Sequence, residues 1–152
     1  MLNIIKVAVS ACLVGKNTKY DGGNNYNVYV MKYLKDKEYI TICPEVEGGL
    51  TTPRDPSEII NDKVLSNKGK DVTKNFVDGA NSSLNKILKE GIQIVIVKAK
   101  SPSCGHKEIY DGTFTSKIVN GNGVFTDLAL KHNLTIYTEK DIEQMIKEKA
   151  SF

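Results

Sequence analysis

Apolar and β-branched residues gather into four short runs separated by polar, helix-periodic stretches. The first run, IIKVAVS at 4–10, has the length and composition of a buried strand. YITIC at 39–43, IQIVIVK at 92–98 and LTIY at 134–137 repeat the pattern. Between them the period shifts to that of helices. Residues 25–35 place Tyr26, Val30 and Leu34 on one face, with Asn24 or Asn25 as cap. A second helix is predicted over 72–89, opened by Asp71 or Thr73 and closed by Gly91, and a third over 122–132, stopped at Asn133. The last spans 139–149, with Thr138 as cap and Asp141 three residues later. Residues 58–73 read as two short strands around the turn SNKGKD.

Strands alternating with helices imply a parallel sheet covered on both faces. The predicted fold is α/β: a three-layer, Rossmann-like or flavodoxin-like domain with a central, mainly parallel sheet and a small β-hairpin insertion. At 152 residues the chain suits a single domain over 1–152. Three polar loops interrupt the pattern: one after the first strand, one from Pro44 to Pro56, and one from Lys100 to about Asn120. Long loops without structure of their own in a compact domain are usually functional.

Composition narrows the classes. The chain is 40% hydrophobic and 26% charged, as ordinary globular proteins are. A net charge of +3 does not argue for a dedicated nucleic-acid binder. Twenty lysines stand against a single arginine, Arg54, which reads as a loop clamp on Asp55 or Glu58 or as an anion contact. No run approaches the length of a membrane span. Val9-Ser10-Ala11-Cys12 imitates a lipoprotein cleavage box, but the apolar stretch before it is short and contains Lys6. The expected location is the cytoplasm, where cysteines are free thiols, metal ligands or catalysts.

The three cysteines follow three strands. Cys12 comes just after the first, Cys43 ends the second, and Cys104 lies a few residues beyond the third. In a parallel sheet the carboxyl ends share one edge, and ligands bind there. Residues distant in sequence are thereby expected to converge. Three thiolates without a fourth suggest a metal site with one open position. His106 is a possible fourth ligand, whereas His132 suits a helix end. A phosphate-binding loop, a dinucleotide fingerprint, a Cys-x₅-Arg phosphatase motif and Cys-x-x-Cys are all lacking. Glu45 puts a carboxylate two residues from Cys43, and Pro44 is expected to hold the chain extended before it. Ser101 and Ser103 offer hydroxyls beside Cys104. Asp21 and Asp111 each stand in Tyr-Asp-Gly, where turn chemistry is the ordinary reading, with Asp21 also a candidate for binding substrate. Buried structural cysteines, a Cys₃ zinc hydrolase and an iron–sulfur redox or oxygen sensor are the competing readings.

Three segments together carry a resemblance. Ser10-Ala11-Cys12-Leu13-Val14-Gly15 leads to Tyr20-Asp21-Gly22; Cys43-Pro44-Glu45-Val46-Glu47-Gly48-Gly49-Leu50 leads to Pro53-Arg54-Asp55-Pro56-Ser57-Glu58; Lys98-Ala99-Lys100-Ser101-Pro102-Ser103-Cys104-Gly105 leads to Tyr110-Asp111-Gly112-Thr113-Phe114. Over nearly its whole length the chain resembles the TudS-like family of thiouracil desulfidases. The resemblance implies an oxygen-sensitive 4Fe–4S cluster on Cys12, Cys43 and Cys104, whose open iron takes the sulfur of a thiolated nucleobase. It implies carbon–sulfur cleavage without net redox change, releasing hydrogen sulfide. The family's carboxylate falls on Glu45 and its serine on Ser101. Ser103, Asp21, Gly48 and Gly49 are the further candidates for substrate contact, the two glycines by letting a flat base approach. The implied partner is a small thiolated nucleobase. Thr51-Thr52 before Pro53 departs from the family pattern, outside these positions.

Overall fold

The computed structural model describes residues 4–150. The expected domain of 1–152 extends at both ends beyond the described residues. Its elements, in order, are β1 (Lys6–Ser10), α1 (Val28–Leu34), β2 (Glu38–Ile42), α2 (Pro44–Glu47), β3 (Ser57–Ile60), β4 (Lys63–Ser66), α3 (Thr73–Lys89), β5 (Ile94–Val97), β6 (Glu108–Tyr110), β7 (Ile118–Asn120), α4 (Val124–Lys131), β8 (Thr135–Thr138) and α5 (Glu139–Ala150). A 3₁₀ turn, Ala11–Val14, follows β1. The main sheet has the order β2-β1-β5-β8, and every pairing in it is parallel. This is the predicted Rossmann-like arrangement.

Strand alternation sends the core two ways. Val7, Val9 and Ile96 pack with Val30 and Leu34 of α1 and Ile142 of α5. Ala8, Val95, Val97 and Ile136 pack on the opposite face with Ala80, Leu84 and Ile87 of α3 and with Phe125 and Ala129 of α4. Thr138 and Asp141 cap α5 reciprocally, as expected: the Thr138 N–H donates to Asp141 Oδ2 at 2.9 Å, and the Asp141 N–H to Thr138 Oγ1 at 3.3 Å. Among the described residues no helix is long and apolar enough to cross a membrane.

Four local expectations are corrected. Helix α1 starts later, because Asn27 caps it by accepting from the Tyr29 and Val30 N–H groups; Tyr26 falls outside the helix and is exposed. The β3–β4 turn is at Asn61-Asp62, and SNKGKD is a separate turn in which Ser66 Oγ accepts from the Lys68 and Lys70 N–H groups. The loop 100–120 contains the β6–β7 hairpin. Its second strand, Ile118–Asn120, is exposed throughout, so it has no buried face to pattern.

The fourth correction bears on the site. Pro44–Glu47 is a helical turn, not extended chain, with Pro at the position where its fixed φ and missing N–H suit a helix start. It lies directly on α3, and two glycines permit the contact. A Cβ on Gly79 would collide with the Pro44 carbonyl, and one on Gly48 with the Asn75 carbonyl. Gly79→Ala is therefore expected to destabilise the chain by about 1–3 kcal/mol, the usual cost of overpacking, measured by urea unfolding. An unchanged urea midpoint would mean that α2 yields freely.

Candidate active site

The carboxyl ends of β1, β2 and β5 open onto one cavity of about 570 Å³. Cys12, Cys43 and Cys104 all line it. Each arrives by a different local device. Cys12 sits in the 3₁₀ turn that reverses the chain after β1. Cys43 is the residue before α2, so the short helix fixes its backbone. Cys104 is buried, and its N–H donates to Ser101 Oγ at 3.1 Å. Ser10, at the end of β1, is tied to both neighbours: its Oγ donates to Cys104 Sγ at 3.4 Å and accepts from the Lys98 N–H at 3.2 Å.

No cysteine is disulfide-bonded. Burial pushes all three thiols up, against weaker opposing hydrogen bonds from Asn25 to Cys12 and from the Val46 N–H to Cys43. Cys104 is pushed up to about 12, with Ser10 and Ser103 opposing. Such thiols are poor nucleophiles at neutral pH. A coordinated metal reverses this, because it deprotonates a thiol outright. The raised thiols thus argue against cysteine nucleophilic catalysis.

Among the described residues no group of three or more His, Cys, Asp or Glu side chains is gathered so as to hold a metal ion, which gives direct support neither to a zinc ion nor to a cluster. The donor set itself, three thiols around one cavity without a fourth, fits an iron–sulfur cluster with an open position. Thr18, in the cavity wall, has its hydroxyl beside Cys43, where it opposes the rise of that thiol.

A carboxylate network faces the thiols. Glu45 lines the cavity from α2, and both its oxygens are engaged. Arg54 Nε donates to Oε1 at 3.2 Å, and Ser103 Oγ donates to Oε2 at 2.7 Å. Ser103 also meets Ser101, with Oγ–Oγ at 2.9 Å. Arg54 does not pair with Asp55 or Glu58 as the sequence suggested; Asp55 pairs with Lys68. Glu58 instead accepts from the Gly112 and Phe114 N–H groups, fixing the hairpin tip whose Phe114 lines the cavity. Tyr20 and Tyr110 add aromatic surface to the wall.

Other candidates lie elsewhere. Gly48 and Gly49 lie against Asn75 of α3 and outside the cavity wall. Asp21 is an exposed turn residue that accepts from the Gly23 N–H at 2.9 Å, and it is likewise outside the wall. Asp111 makes the same kind of turn with Thr113. His106 does not line the cavity, and His132 ends α4 with Nδ1 3.0 Å from the Leu128 carbonyl. Ser10 and Thr18 were missed by the sequence reading. Their only signal was position, one at a strand end and the other in the loop after it.

Glu47 holds Cys43 from behind. Its Oε2 accepts from the Cys43 N–H at 3.1 Å and from Ser83 Oγ at 2.7 Å, and its Oε1 meets Lys86 Nζ at 2.8 Å. Burial alone would raise this carboxyl, but Lys86, Ser83 and the Cys43 N–H together hold it below the usual range. A depressed folded pKa stabilises the fold above the unfolded value, about 4.3, and the contribution is lost as pH falls through the folded value. Glu47→Gln is expected to cost about 1–3 kcal/mol at neutral pH. Urea midpoints of the two proteins should converge on acidification below about pH 4. A difference that persists or widens in acid would contradict the ion-pair account.

Fold and site together define a class: a parallel α/β domain with a thiol-lined cavity and a clamped carboxylate at the carboxyl edge of its sheet. A family model described as 2-thiouracil desulfurase matches residues 7–141. The uncharacterized protein YbbK of Bacillus subtilis (strain 168) is 32% identical over 150 residues, covering 92% of this chain and 99% of its own. A solved structure of the 4Fe–4S-dependent thiouracil desulfidase TudS shares 33% identity with a TM-score of 0.86, over 97% of this chain and 99% of that one. The chain belongs to the 2-thiouracil desulfurase family, and by family it is an enzyme, a thiouracil desulfidase.

Proposed function

We propose that this chain removes sulfur from thiouracil-type bases by hydrolysis, with a 4Fe–4S cluster held by Cys12, Cys43 and Cys104. The observation that carries the reading is the convergence of three free cysteines and Glu45 on one cavity. When bound, the cluster supplies a soft Lewis acid for the thiocarbonyl sulfur, which leaves the ring carbon open to water. The residues of the chain do the rest. Glu45 accepts a proton from the attacking water as general base. Its clamped carboxylate supports that role, because a fixed base needs no reorientation during the reaction. Ser101, one hydroxyl further from Glu45, acts through the network. Tyr20, Tyr110 and Phe114 offer apolar walls to a flat ring. The balance is thiouracil plus water giving uracil plus hydrogen sulfide, with no electron donor. Three free cysteines suit a reducing compartment, which supports a cytoplasmic location.

The test is anaerobic purification, with iron and acid-labile sulfide measured per chain, followed by incubation with 2- and 4-thiouracil. Uracil and hydrogen sulfide in equal amounts support the reading. A full cluster without turnover of thiouracil or its nucleosides would point to a sensor. Absence of iron after anaerobic reconstitution would remove the cluster.

A further inference from the structure

We infer that Arg54 and Ser103 are positioning residues that hold Glu45 in one orientation, Arg54 through one carboxylate oxygen and Ser103 through the other. The inference rests on the reading of Glu45 as the proton-handling group. Glu45 itself has three rotatable side-chain bonds on a four-residue helix, so its own element does little to fix its tip.

Arg54 is built to act as a fixed point. Its side chain is only 7% exposed. Nη1 donates to the Thr51 carbonyl at 3.2 Å and to Thr52 Oγ1 at 3.0 Å, and Nη2 donates to the Thr18 carbonyl at 2.8 Å. Its backbone N–H donates to the Tyr20 carbonyl at 2.7 Å. Two loops therefore set the plane of the guanidinium, and Nε presents one donor to Glu45. A lysine would keep the charge but not this fork.

Hydrogen counting fixes the other side. Ionised Glu45 only accepts, so the single Ser103 hydroxyl hydrogen goes to Oε2 at 2.7 Å. In the Ser101–Ser103 pair the donor must then be Ser101. Ser101 Oγ already accepts from the Ser103 and Cys104 N–H groups at 3.2 and 3.1 Å. Ser101 is thus saturated, and the hydroxyl that touches the carboxylate is that of Ser103. The chain runs Ser101 to Ser103 to Glu45, with Arg54 closing it from the other side.

A residue that works only through Glu45 has nothing left to do once Glu45 is lost. The test is a double-mutant cycle with Arg54→Lys and Ser103→Ala, each alone and combined with Glu45→Gln, read as kcat, KM and iron per chain. Each single variant is expected to lose about tenfold to a hundredfold in kcat, with KM within about twofold and iron unchanged. In the Glu45→Gln background neither is expected to cost more than about twofold further. Full additivity, or wild-type kcat in both singles, overturns the inference. Wild-type turnover in Glu45→Gln alone overturns the underlying reading instead, so the two failures are distinct. A crystal structure of the Ser103→Ala chain supplies a readout independent of turnover. Glu45 should occupy more than one rotamer on an unmoved α2, and a single unchanged rotamer counts against positioning.

Discussion

Cys104→Ser is expected to strip the chain of most of its iron and of all desulfidation activity. Thiolate is a soft ligand that holds iron, whereas a hydroxyl in the same place stays protonated. Cys104 is the most demanding of the three positions, since its sulfur is buried and its thiol is pushed up to about 12. A bound metal would offset that burial further by stabilising the anion. The fold itself should survive the change. Ser10 already donates toward Sγ, and a serine oxygen accepts the same hydrogen bond. The measurement is iron and acid-labile sulfide per chain after anaerobic purification, alongside hydrogen sulfide release. Cys12→Ser and Cys43→Ser should behave alike. Full activity in any of them at matched protein concentration removes the three-cysteine site.

Glu45→Gln is expected to lower turnover by about 10²–10⁴-fold, the usual worth of general acid–base catalysis, with cluster content and thiouracil binding retained. The network can absorb the amide. Its oxygen accepts from Arg54 Nε as Oε1 does now, and its nitrogen donates to Ser103 Oγ, whose hydrogen then turns toward Cys104 Sγ, 3.7 Å away. What is lost is the capacity to take a proton. The assay is anaerobic conversion of thiouracil to uracil, with iron measured on the same sample. Wild-type turnover at full iron loading would exclude Glu45 as the base. Loss of iron would make it a structural residue or a ligand.

The same residues show why the site was only partly legible in advance. The convergence of Cys12, Cys43 and Cys104 on one edge followed from topology alone, because parallel strands deliver their carboxyl ends together. Glu45 was flagged by its distance from Cys43. The partner of Arg54 was not legible. Asp55 and Glu58 are close in sequence, but the chain between Glu45 and Arg54 folds back through α2 and the loop after it, so the guanidinium meets a carboxylate nine residues earlier. The place of the glycines was not legible for a related reason. A Gly-Gly pair signals close approach without saying by what, and here the neighbour of Gly48 is α3.

By itself the sequence determined the periodicities, and through them the alternation of strand and helix, the parallel sheet and the edge at which the chemistry gathers. Those are local properties, set by which residues bury on a pleat or on a helical face. It also carried the three motifs that resemble the desulfidase family. Tertiary structure decided which donor faces which acceptor: Ser103 against Glu45, Arg54 closing the carboxylate, Glu47 reaching back to the Cys43 N–H, and the β6–β7 tip held by Glu58. Each of these contacts joins residues on different loops or layers, and its existence depends on angstrom-scale packing that no repeat along the chain encodes.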